Sequence, residues 1–112
     1  MIFGKEKGDV KMIKFEFRKI GEYLGTRQLG EQVRHQLMPL IMGDERVELN
    51  FSGVEVVSNS FADECLAKIL LVMPLEELQK RTTFTDVNDL ARKNIAIAFR
   101  RRLKAIQTES VA

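Results

Sequence analysis

The sequence predicts a small α/β domain, a mixed sheet of about four strands covered by helices. Three observations point to it. Ile13-Phe15-Phe17 and Val47-Leu49-Phe51 alternate with polar residues, the two-residue period of strands with one buried face. Leu29-Val33-Leu37-Leu40-Ile41 and Ala91-Ile95-Ala98-Phe99-Leu103-Ile106 follow helical spacing instead. Strands separated by helices of this length need crossover connections, so at least one strand pair is parallel and its crossover right-handed.

The first strand is K-M-I-K-F-E-F-R, with Lys14 and Glu16 facing away from the apolar set. Gly8-Asp9 could turn a short hairpin back to Ile2-Phe3. After Gly25, Thr26 caps the first helix, and Pro39 bends or terminates it. Gly43-Asp44 makes the next turn. The strand from Arg46 to Phe51 continues through Val54, Val56 and Val57 after a bulge or bend at Ser52-Gly53. Ser60, with Asp63 three residues later, reads as a capping box opening a helix through about Met73 that is apolar nearly all round. Pro74 starts a short helical turn, R-T-T-F-T supplies one more strand, and Asp86 caps the last helix.

A chain of 112 residues with 45% hydrophobic content fits one domain over 1–112, with its core at about 12–105 and frayed ends at 1–9 and 107–112. Lys and Arg total 18 against 16 Asp and Glu, so the net charge of +2 does not mark the whole chain as a nucleic-acid binder. The N-terminus lacks the apolar core of a signal peptide, and Ile69 to Leu75 is too short to span a bilayer. The single cysteine, Cys65, packs in an apolar helical run and cannot form an internal disulfide, which suits a cytoplasmic protein. The sequence assigns no oligomeric state.

Catalytic chemistry has little material. One histidine, His35, cannot build a two-histidine or His/Cys zinc site, and no spacing sets it beside Ser52, Ser58 or Ser60 as a triad would require. No metal or cofactor is expected. G-T-R-Q-L-G-E lacks the Lys-Ser/Thr of a phosphate-binding loop. Gly25-Thr26-Arg27 remains a candidate anion site, since an Arg beside exposed helix N–H groups can hold an anion; the alternative is a plain glycine turn with a Thr cap. R-R-R-L-K on the last helix, Arg100, Arg101, Arg102 and Lys104, either meets phosphates or complements the helix dipole. No aromatic residue is interleaved there to stack on bases.

The stretch V-E-L-N-F-S-G-V-E-V-V-S-N-S-F-A-D-E, residues 47–64, resembles the central segment of STAS domains, the fold of bacterial anti-sigma-factor antagonists. It resembles more closely the STAS-like family of small bacterial proteins, in which a Gly-Thr-Arg helix start precedes this strand and the next helix opens with Ser-Phe-Ala-Asp-Glu. Those elements stand here as Gly25-Thr26-Arg27, Asn50-Phe51-Ser52-Gly53-Val54 and Ser58-Asn59-Ser60-Phe61-Ala62-Asp63-Glu64. The resemblance spans roughly residues 12–105. It implies a non-enzymatic signalling module that docks on a protein partner, a histidine-kinase-like ATPase or an anti-sigma factor, through Ser58, Asn59, Ser60, Phe61, Asp63 and Glu64. The antagonists are switched off by phosphorylation of a serine at this helix start; a phosphate adds nearly two negative charges and bulk to a docking face.

Alignment on Asn50 to Val54 puts Asn59 at that serine's position, between Ser58 and Ser60, and Asn50 in place of an acidic residue. A neighbouring serine takes over, or docking is constitutive, or the switch has another use. Two other functions compete with docking: nucleic-acid binding through Arg100, Arg101, Arg102 and Lys104, and a small enzyme or nucleotide or anion binder using Gly25-Thr26-Arg27 with Asp63 or Glu64.

Overall fold

Val47 and Leu49, fully or almost fully buried, stand on the central strand of the domain. The computed structural model describes residues 12–111, so the hairpin expected from Ile2-Phe3 lies outside the described residues. The α/β class holds. The described strands are β1 (Met12–Glu16), β2 (Tyr23–Leu24), β3 (Arg46–Asn50), β4 (Val56–Val57) and β5 (Thr82–Thr85). The helices are α1 (Arg27–Ile41), α2 (Asn59–Cys65), α3 (Leu75–Arg81) and α4 (Asp89–Val111), with single 3-10 turns at Phe17–Lys19 and Ala67–Leu71. Where the sequence suggests one mixed sheet of about four strands, these strands form two small sheets, β1-β3-β5 and β2-β4, and every ladder is parallel.

The register sets the two faces of the larger sheet. Ile13, Val47 and Thr82 share a row, as do Phe15, Leu49 and Phe84, and this face meets the helices. The rows Lys14-Glu48-Thr83 and Glu16-Asn50-Thr85 fall on the opposite, polar face. There the Asn50 Nδ2 donates to Glu48 Oε2 and Thr85 Oγ1, both at 3.0 Å, and Thr85 Oγ1 donates to Glu48 Oε2 at 2.7 Å. These hydrogen bonds hold the Glu48 carboxyl below the usual carboxylate range.

Asn50 also explains the break after β3. Its Oδ1 accepts the Ser52 N–H at 3.1 Å, and the Val54 N–H returns to the Phe51 carbonyl at 3.0 Å. Gly53 completes the turn at φ +81°, in the left-handed region that glycine enters without penalty. The chain then re-enters extended structure beside Tyr23-Leu24, a pairing too short to leave a sequence pattern.

Three further boundaries differ from expectation. Phe17 leaves the strand for the 3-10 turn, where its ring stacks on Phe51 at 4.1 Å between centroids, and Phe51 in turn faces Phe84 at 6.1 Å. The expected helix through Met73 breaks after Cys65 into a 3-10 turn, and each piece buries most of its apolar side chains. The last helix is capped by Asn88, whose Oδ1 accepts the Ala91 N–H at 2.8 Å; Asp86 instead turns the chain at φ +54°. Thr26 caps α1 as expected, accepting the Leu29 N–H at 3.1 Å, and Pro39 sits in the final turn two residues before the helix stops.

Helix α2 is pressed between α1 and α4. Gly30 allows the closest approach: a Cβ there would stand 3.0 Å from the Phe61 carbonyl oxygen and from Glu64 Cβ. No described helix is long and apolar enough to cross a membrane.

Candidate functional site

The three stretches that the sequence singles out meet at the start of α2. Ser58 is the N-cap, correcting the assignment to Ser60. Its Oγ accepts the Phe61 N–H at 3.0 Å and donates to the Gly25 carbonyl at 2.9 Å, while its own N–H donates to the Leu24 carbonyl. The helix start is thereby stitched to the turn that opens α1. The Ser58 hydroxyl is occupied both as donor and as acceptor.

Asp63 does not serve the expected capping box. It lies mid-helix and gathers cations from two other helices: Arg102 donates from Nε at 3.1 Å and Nη2 at 2.6 Å, and Arg27 from Nη1 at 2.8 Å. Arg27 also reaches Glu64 Oε1 at 3.2 Å. Glu64, almost fully buried, takes further donors from Arg34 and Lys68, each at 3.1 Å on Oε2, and Arg34 bonds the Glu64 carbonyl as well.

Burial pushes the pKa of both carboxyls up, but the Arg102 and Arg27 hydrogen bonds on Asp63, and those of Arg34, Lys68 and Arg27 on Glu64, outweigh it and hold both below their ordinary values. Arg27 is raised in return, chiefly by Asp63. Cys65 beside them is fully buried, and desolvation pushes its thiol up to about 12, which leaves it a packing residue.

Next to this network lies an open cavity of about 330 Å³, lined by Arg27, Asn59, Ser60 and Asp63 on one side and by Arg101 and Arg102 of α4 on the other. Ala98 and Ala105 form its α4 wall, and their small side chains leave the space. Asn59 carries a buried Oδ1 with no hydrogen-bond partner among the described residues.

Not every candidate residue offers surface. Phe61 is fully buried in the core and Glu64 is enclosed by cations, so both hold the segment in place. Ser60, Asn59 and Asp63 remain partly exposed beside the cavity. Of the basic run, Arg100, Arg101 and Lys104 are exposed, whereas Arg102 turns inward to Asp63. His35 is exposed on α1. The Arg102–Asp63 pair, separated by 39 positions, was not foreseen, because nothing in a basic run marks which member turns inward.

The family model of the STAS-like domain of unknown function (DUF4325) matches residues 30–91, more than half of the chain, and the chain belongs to this family. The match contains the whole segment 58–64 and Glu64's partners Arg34 and Lys68; Arg27, Arg101 and Arg102 lie outside it. No curated protein and no solved structure matches the chain.

Proposed function

We propose that this STAS-like domain is a non-enzymatic regulatory module of the cytoplasm that docks on a protein partner through segment 58–64, the partner being a histidine-kinase-like ATPase or an anti-sigma factor. One observation carries the reading. The helix start is fixed from behind by Ser58 on Gly25 and by Arg27 and Arg102 on Asp63, while Ser60 and Asn59 stay partly open beside a cavity. A rigid, partly exposed segment loses little conformational entropy when a partner covers it.

Docking is primary in this reading, and phosphorylation secondary. Asn59 accepts no phosphate, the Ser58 hydroxyl is engaged on both sides, and Ser60 is the hydroxyl that borders the cavity. The inward turn of Arg102 shortens the exposed basic run, which weighs against nucleic-acid binding.

Affinity capture on immobilised chain, comparing wild type with Ser60→Arg and Asn59→Asp after circular dichroism has confirmed each fold, tests the reading. One protein of the named kind should be retained by wild type and weakened at least about tenfold by Ser60→Arg, which fills the contact with a charged side chain. Equal retention by all three, or retention of nucleic acid alone, would overturn it.

A further inference from the structure

The cavity beside Ser60 is where the fold gathers more cations than it neutralises. Arg27, Arg101 and Arg102 line it with one carboxylate, Asp63, while Arg34 and Lys68 pair with Glu64 outside the lining. The lining thus carries two positive charges in excess, as many as the net +2 of the whole chain. Arg101 adds to it without compensation, since among the described residues it forms no ion pair or side-chain hydrogen bond.

Several donors are unspent. Asp63 takes the Nε and Nη2 of Arg102 and the Nη1 of Arg27; Arg102 Nη1 and Arg27 Nη2 meet no carboxylate among the described residues. Asn59, on the same cavity wall, has a buried amide oxygen with no hydrogen-bond partner among the described residues. The space, about 330 Å³, lies at the small end of the roughly 300–1000 Å³ typical of ligand sites. A compact group fits, and a dinucleotide does not.

We propose that this cavity binds a phosphate monoester, its oxygens taken by Arg101 and by the guanidinium nitrogens of Arg27 and Arg102 that Asp63 leaves unused. Guanidinium forks match tetrahedral oxyanions two bonds at a time, and a phosphate dianion offsets more of the local charge than a carboxylate does. Carried on a partner's side chain, the phosphate would deepen the docking reading by naming what the partner brings to segment 58–64. Carried on a free metabolite, it would make the cavity an effector site beside that segment. The site stands on the chain's own residues in either case.

The test is titration of the isolated, ¹⁵N-labelled 112-residue chain with inorganic phosphate at constant ionic strength, followed by a blocked phosphoserine peptide and by glycerol phosphate. Amide signals of Ser60, Asn59 and Arg101 and the Nε–H signals of Arg27 and Arg102 should shift saturably. Arg101→Gln should weaken binding at least about tenfold, as loss of a charge-assisted contact does, and Lys14→Gln on the opposite sheet face should leave it unchanged. Tighter binding of the peptide assigns the phosphate to a partner's side chain; tighter binding of glycerol phosphate assigns it to a free metabolite. Non-saturating shifts, or equal affinity in Arg101→Gln, would overturn the proposal. Phosphate binding without partner capture would sink the docking reading alone, and capture without phosphate binding would sink this one alone.

Discussion

Arg27 Nη1 lies 2.8 Å from Asp63 Oδ2, across 36 positions of sequence, and Arg102 holds the same carboxylate from a third helix. One acidic side chain on α2 thus ties the start of α1 to the body of α4. Asp63 is mostly buried, its side chain 14% exposed, so its removal leaves Arg102 without its counter-charge and Arg27 with Glu64 alone. Asp63→Asn is expected to lower stability by about 1–3 kcal/mol in urea unfolding. A double-mutant cycle with Arg102→Gln should show positive coupling, and strict additivity would mean that the pair is not energetically joined.

Acid should act through the same groups. The folded-state pKa values of Asp63 and Glu64 are lowered, so the folded state binds fewer protons than the unfolded chain as pH drops. Their contribution is present above the ordinary carboxylate range, about 4, and is lost as pH falls through the folded-state values. Urea midpoints measured from pH 7 to pH 3 should therefore decline more steeply for wild type than for Asp63→Asn. Parallel curves would show that Asp63 titrates alike in both states.

Gly30 separates propensity from packing. Alanine is better than glycine inside a helix by about 1 kcal/mol, so an unconstrained position would gain stability on substitution. Here the new methyl would stand 3.0 Å from the Phe61 carbonyl and 3.2 Å from the Cys65 nitrogen, both backbone atoms of α2. Gly30→Ala is expected to destabilise by about 1–3 kcal/mol, and a rise in melting temperature would show that α1 and α2 part easily.

The two serines that flank Asn59 should behave differently. Ser58→Ala removes the cap on Phe61 and the bond to Gly25, for a loss of about 1 kcal/mol or more. Ser60→Ala should stay within about 0.5 kcal/mol of wild type in the same thermal or urea measurement. The reverse order would return the cap to Ser60.

How much of this could be read from the residues depends on the range of the forces involved. The α1 stripe from Leu29 to Ile41 and the β3 alternation of Val47 and Leu49 are local patterns, and both elements stand where those patterns put them. The choice of Ser58 over Ser60 was not local: either serine can cap, and the Gly25 carbonyl, 33 positions away, favours Ser58. Asn88 replaces Asp86 as cap for a similar reason, its Nδ2 also donating to the Val54 and Glu55 carbonyls. A segment apolar on every side cannot signal a change from α to 3-10, hence the unforeseen break after Cys65. At the site, grouping Arg27 with Asp63 and Glu64 was legible from their chemistry, and the structure joins them. The cavity was not, because it depends on where α4 crosses α2.

Amide hydrogen exchange of the chain with and without its captured partner locates the contact most directly. Docking as proposed protects residues 58–64 and the α4 turn around Arg101, and leaves the polar sheet face of β1, β3 and β5 unchanged. Protection of that sheet face, with 58–64 exchanging as in the free chain, would place the docking surface elsewhere and contradict the proposal.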